Sequence, residues 1–354
     1  MDFIVFFVAL SILILVHEFG HFFAARKTGV KVEEFGLGLP PRMIGKKIGE
    51  TIYSLNWLPI GGFCRLYGED TVTDKSKPVS TRSFAGKKPW QKLLIVLGGV
   101  LMNLVLAVAI FTMVYAIMGV PRETDQVRII GVAPDSPAAE AGIKEGDVVK
   151  SIEGIEISQQ ETLVEELGKR KGEEVSVVVL REGEEQGLKV MVRENPPEGQ
   201  GSTGIIISNT VMEKVPWWQF YKGIGAGFKE AYFWGKIIFG GVFGMISSLF
   251  AGQVPQDVAG PIGMFQATSD IQRNQGLLAV IHFFGIISVN LAVVNILPFP
   301  ALDGGRIIFV LYEMVSGRKV NERFEATINN VGMLMLLGLI FLITAGDILR
   351  IVRN

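Results

Sequence analysis

The chain has 354 residues, 49% hydrophobic against 19% charged, with a mean hydropathy of +0.39, values that exclude an ordinary soluble domain. Its net charge of −1 says little, because the sign is segregated along the chain, and no nucleic-acid partner is expected. A single cysteine, Cys64, excludes an internal disulfide framework.

The first predicted element is residues 3–25, within MDFIVFFVALSILILVHEFGHFFAAR. It is long enough to cross about 30 Å of hydrocarbon, which takes roughly 20 helical residues. No basic n-region and no small-residue cleavage site precede His17, so the segment reads as a retained span rather than a signal peptide. Inside it, HEFGH spells H-E-x-x-H. His17 and His21 are four residues apart, so on a helix both rings leave one face, one turn apart. That spacing lets two imidazoles share one zinc at about 2.0–2.1 Å. Glu18 lies beside them, able to take a proton from water without being a ligand. Such a pair could also serve as an interhelical hydrogen bond. Each ionisable group in a span costs about 2.5–3.5 kcal/mol, however, so several together point to function.

Residues 26–92 carry 13 Lys/Arg against 6 Asp/Glu, which the positive-inside rule places in the cytoplasm, with the amino terminus outside. Within this loop, 32–66 reads as a β-hairpin region: strands at Glu33–Leu37, Thr51–Leu58 and Ile60–Leu66, with a turn containing Gly61 and Gly62. The second span is 93–118. Its Gly98-Gly99 pair and Asn103 suit close helix packing, and Asn103 is equally a candidate substrate contact.

Residues 120–200 change texture, with short Val/Ile runs at 127–130, 174–180 and 188–192 and one helix over 160–170. They predict a small α+β domain. Residues 119–199 hold 10 Lys/Arg against 18 Asp/Glu, an extracytoplasmic balance. The segment GVAPDSPAAEAGIKEGDVVKSIEGIEI resembles the PDZ domains attached to bacterial proteases. That resemblance implies a peptide ligand added at a sheet edge, the plainer alternative being a spacer or plug.

Residues 201–275 read as a linker followed by an amphipathic element at 216–253, interfacial or re-entrant, rich in Trp, Tyr and Lys suited to headgroup depth. The third span is 277–297 and the fourth 328–345. His282, alone in the third span, is set aside as a residue satisfied by a neighbour. Catalytic zinc takes three protein ligands and keeps one open position. The third candidate is Asp303, in NILPFPALDGGR at the end of the third span. His17, His21 and Asp303 share one side of a bilayer only if the 216–253 element does not cross, which leaves four spans.

HEFGH in the first span, N-x-x-P-x-P-x-L-D-G-G after a later one, and a PDZ domain between them resemble the site-2 protease family, most closely its RseP/RasP-type intramembrane metalloproteases. The resemblance implies a polytopic α-helical membrane protein with four transmembrane helices, a membrane-associated β-hairpin region and an inserted α+β PDZ domain. It implies one Zn2+ per chain held by His17, His21 and Asp303, with Glu18 as catalytic acid/base. Substrate contacts are expected from Asn295, Asn103, Gly61 and Gly62, with Pro298 and Pro300 shaping the site. The expected partners are the lipid bilayer and single-span membrane proteins such as anti-sigma factors or remnant signal peptides. The expected location is a bacterial plasma membrane, with the active site near the cytoplasmic side and the PDZ domain outside. The competing readings are a PDZ-bearing adaptor with a structural metal site and, more distantly, a four-span transporter lacking any inverted repeat.

Overall fold

The computed structural model describes residues 2–69, 80–197, 200–214, 216–250 and 260–353. In chain order its elements are α1 (Asp2–Lys27), β1 (Val32–Ile48), β2 (Thr51–Leu66), α2 (Pro89–Met118), β3 (Val120–Val132), α3 (Pro137–Glu140), β4 (Val148–Ile152), β5 (Ile155–Glu156) and α4 (Gln160–Lys169). They continue with β6 (Glu174–Arg181), β7 (Glu184–Met191), β8 (Ile205–Glu213), α5 (Phe220–Phe250), α6 (Pro261–Gln275), α7 (Leu277–Ile296), α8 (Asp303–Ser316) and α9 (Glu322–Arg353). Two compact units result, one of residues 1–115 with 220–354 and one of residues 116–219.

In the first unit, four helices among the described residues are long and apolar enough to cross a membrane: α1, α2, α7 and α9. Small residues decide how they meet. A Cβ on Gly20 would lie 2.1 Å from the Gly98 carbonyl oxygen, and one on Gly98 would lie 2.5 Å from that of Gly20. The α1 and α2 backbones therefore touch where LGG interrupts the larger side chains, a packing mode that small residues favour in lipid. α7 joins through Val280, Phe284 and Ile287, which pack with Phe6 and Leu13 of α1. Ser288 also donates to the Asn103 carbonyl at 2.8 Å.

β1 and β2 form an antiparallel pair in which Val32, the first residue of β1, and Leu66, the last of β2, bury a small core with Ala25, Val30 and Ile95 at the end of α1. Phe35 pairs with both Tyr53 and Cys64, so the first half of β1 sits between two arms of a bent β2. The hairpin turns at Gly49 and Glu50, with Gly49 at φ +62°. The expected glycine turn is thus displaced. Gly61 and Gly62 lie inside β2, because the strand bends there rather than reversing.

α5 corrects a further expectation. It is one continuous 31-residue helix, so it does not turn back as a re-entrant element would. Its glycines leave it straight enough to pack along α2, with Gly227 against Thr112 and Val108. Residues 251–253 of the predicted element fall outside the described residues. α6 replaces the end of the predicted linker, and Asp347 of α9 accepts the Gly263 amide at its start at 2.9 Å. α9 extends well beyond the predicted 328–345 at both ends.

The second unit is an antiparallel sheet of order β7-β6-β4-β3-β8, with β5 paired to β4. Val127, Ile129, Val149, Ile152, Val177 and Val179 build its core beneath Leu163 and Leu167 of α4. The predicted boundary at 200 is corrected by β8, which pairs with β3 from Val120↔Glu213 to Val132↔Ile205. The Pro/Gly-rich stretch before it is an internal connection, not the end of a domain. Arg181 grips Asp147 with two nitrogens, at 2.8 and 2.6 Å, and holds its carboxyl below the usual carboxylate range.

Candidate metal centre

His17 and His21 reach from α1 toward α2 with their Nε2 atoms 3.1 Å apart. Oδ2 of Asp303, the first residue of α8, lies 3.1 Å from His17 Nε2 and 3.3 Å from His21 Nε2. Ligands about 2.0–2.1 Å from a tetrahedral metal stand about 3.3–3.4 Å from one another, so these three donor atoms have the spacing of one tetrahedral face. Asp303 Oδ2 is buried and has no hydrogen-bond partner. A converging set of lone pairs with an orphaned carboxylate oxygen fits a cation. Zinc suits two imidazoles and a carboxylate.

The surroundings hold the imidazoles in the tautomer a metal needs. His21 Nδ1 is 2.9 Å from the Ile95 carbonyl oxygen, an acceptor that fixes the proton on Nδ1 and frees Nε2. Asn103 Nδ2 lies 3.3 Å from His17 Nδ1, while Asn103 Oδ1 is buried without a partner. Amide oxygen and nitrogen are told apart only by their hydrogen bonds. Exchanging them gives Oδ1 the His17 Nδ1–H to accept. A Cβ on Gly99 would lie 2.5 Å from His21 Nε2 and 2.8 Å from His17 Nε2, so only glycine leaves this space open.

Asp303 is delivered by an irregular connection after α7. A Cβ on Gly304 would strike the Leu297 carbonyl oxygen at 1.8 Å, and one on Gly305 that of Phe299 at 2.6 Å. Both glycines of LDGGR are therefore required for α8 to start against the end of α7. Pro300 is pressed on Gly332 of α9, whose Cβ would sit 2.4 Å from the Pro300 Cβ.

A cavity of about 580 Å³ opens on these groups, lined by Glu18, His17, His21 and Asp303 together with Cys64, Asn295 and Arg306. β2 passes close to the acid, since a Cβ on Gly62 would lie 3.4 Å from Glu18 Cγ. Burial pushes the Cys64 thiol up, and its sulfur is not part of the converging donor set.

Of the predicted substrate contacts, Asn295 lines the cavity, whereas Pro298 and Pro300 are not among its lining residues. The prolines instead shape the connection that carries Asp303. Gly61 faces Leu39 within the sheet. Asn103 also lines the cavity, and it is buried with its amide against His17 Nδ1. Sequence reasoning missed Arg306 and Glu69, which form an ion pair on the cavity wall. The only signal was the spacing of Arg306, one turn after Asp303. His282 is satisfied by Glu230 at 2.6 Å.

Residues 5–339 match the model of peptidase family M50. A Clostridium perfringens protein named as a candidate zinc metalloprotease is 34% identical over 345 residues, covering 96% of each chain. Another so named, from Clostridium acetobutylicum, is 30% identical and covers 96% of this chain and 95% of its own. A Staphylococcus aureus protein with the same description is 26% identical and covers 98% of both. Among solved structures, the PDZ domain of a Listeria monocytogenes SdrC-like protein covers 23% of this chain and 87% of its own, with 20% identity and a TM-score of 0.22.

Proposed function

The chain belongs to peptidase family M50, as a multi-pass membrane zinc metalloprotease of the intramembrane type. From that premise we propose that it cuts transmembrane segments of single-span membrane proteins near the cytoplasmic face of a bacterial plasma membrane. One observation carries the reading: three zinc-type donors and one carboxylate converge in a cavity among helices long and apolar enough to span lipid.

His17, His21 and Asp303 would hold one zinc per chain. When bound, zinc supplies a Lewis acid that makes water more acidic and polarises the scissile carbonyl. Glu18 takes the proton from the attacking water and returns it to the departing amine nitrogen. Asn295, half-buried on the cavity wall, offers an amide to the substrate backbone. A helical substrate must unwind first, and its freed backbone groups need partners in lipid. The β1–β2 sheet beside Glu18 supplies strand edges for them. The substrates expected for this chemistry are anti-sigma factors or remnant signal peptides. The module of residues 116–219, outside the cytoplasm, would dock a peptide or exclude substrates whose outer domain is still bulky.

The test uses the purified protein, a tagged single-span substrate and the Glu18→Gln variant, with zinc measured throughout. Wild type should cut inside the span, while Glu18→Gln keeps its zinc and loses about 10²–10⁴ in rate, the contribution of a positioned acid/base. Equal cleavage by both would remove Glu18 from the chemistry. No cleavage of any candidate span by zinc-loaded wild type would favour an adaptor.

A further inference from the structure

A second cavity of about 610 Å³ adjoins the metal cavity and shares six lining residues with it: Glu69, Phe84, Ala301, Leu302, Asp303 and Arg306. Away from that shared wall its lining is mixed, with Phe309, Val310 and Met333 beside Lys92, Lys319 and Asn329. Arg306 stands at the junction. It follows Asp303 by three residues on α8, so the two side chains share a helix face, with Arg306 one turn farther from the donor triad.

The guanidinium of Arg306 is occupied by the Glu69 carboxylate. Glu69 is itself held, its second oxygen accepting the Leu66 amide at 3.2 Å. Side-chain exposure of Arg306 is 37%, so the group can be reached from the cavities.

This arrangement bears on what proteolysis produces. Hydrolysis adds water across the peptide bond, giving one fragment a new carboxylate and the other a new amine. The carboxylate forms at the metal triad beside Glu18, where bound zinc would attract it, so release of the fragment needs a second cation to take it over. Arg306 is the cation one turn away, and Glu69 already shows that its guanidinium accepts a carboxylate there.

We propose that Arg306 is the product-carboxylate site: the new C-terminus displaces Glu69 from the guanidinium and leaves the metal cavity toward the second cavity. Glu69 acts as a built-in competitor that retakes Arg306 once the fragment has gone. This step rests on the proteolytic reading above, but the site is a binding site and can be tested without turnover.

The experiment measures binding of a short acetylated apolar peptide, as the free acid and as its C-terminal amide, to the zinc-loaded full chain in detergent. Wild type should prefer the acid. Arg306→Gln should cut the acid-over-amide ratio on the order of tenfold, the scale of one hydrogen bond between charged groups, with zinc content unchanged. Arg306→Lys should restore part of it. Glu69→Gln removes the competitor and should raise acid affinity while leaving the amide unaffected. A merely structural ion pair would predict loss in both variants and gain in neither. An acid-over-amide ratio unchanged by Arg306→Gln and by Glu69→Gln overturns the proposal, and if Arg306→Gln fails to fold, Glu69→Gln decides alone. Failure of the proteolytic reading appears separately, as absent cleavage by wild type.

Discussion

Asn103 shows how a residue can matter to a metal without touching it. It is fully buried on α2, and its amide is the polar group set against His17 Nδ1. Partners of this kind orient a ligand and raise its basicity, and losing one costs about 10–100-fold in metal affinity. Asn103→Leu should therefore weaken zinc binding by that factor, read by competitive titration against a chelator, with helical content retained. Asn103→Asp keeps an acceptor and should lose less. Equal affinity in all three would make Asn103 a packing residue. His17 and His21 were legible in the sequence because their four-residue spacing puts both on one helix face, and Glu18 because it adjoins His17 in H-E-x-x-H. Asp303 was legible from the proline and glycine punctuation around it. The part played by Asn103 was not, since it depends on where α1 crosses α2, and Arg306 read only as a loop charge.

At the scale of elements, glycine explains both what was legible and what was not. Gly98-Gly99 signalled close helix packing, and the structure puts Gly98 on the Gly20 backbone and Gly99 on the two imidazoles. The same residue type plays no such part elsewhere. Gly240, Gly241 and Gly244 of α5 have nothing near their would-be Cβ atoms, so they neither break the helix nor mark a contact. β8 was hidden because turn residues precede it, and only pairing with a strand some 80 residues earlier gives it a sheet. The contrast yields a test. Gly98→Val drives a side chain into the α1 backbone and should lower the thermal midpoint in detergent by an amount equivalent to about 1–3 kcal/mol or more, with zinc lost as α1 is pushed away. Gly240→Val meets open space and should leave midpoint and zinc content unchanged. Similar effects of the two would mean that the α1–α2 approach does not set the site.

For the whole molecule, the decisive relation is between direction of travel and chemistry. The histidines lie in the last third of α1, and Asp303 follows the end of α7, so the triad closes only when these helices run the same way. α2 runs between them in the opposite sense, with Gly98 and Gly99 near its start and Asn103 one turn further on. Charge supports the proposed sides, because residues 26–92 carry 13 Lys/Arg against 6 Asp/Glu while 119–199 carry 10 against 18. The chain suits a direct measurement, since Cys64 is its sole cysteine and lies in the cavity wall rather than in a ligand position. In a Cys64→Ser background, Glu50→Cys samples the β1–β2 turn and Asp135→Cys the turn before α3, both exposed. In sealed cells, a membrane-impermeant maleimide should label the Asp135 position at once and the Glu50 position only after permeabilisation. Labelling of both from outside would place the β sheet on the wrong side for a site that opens to the cytoplasm.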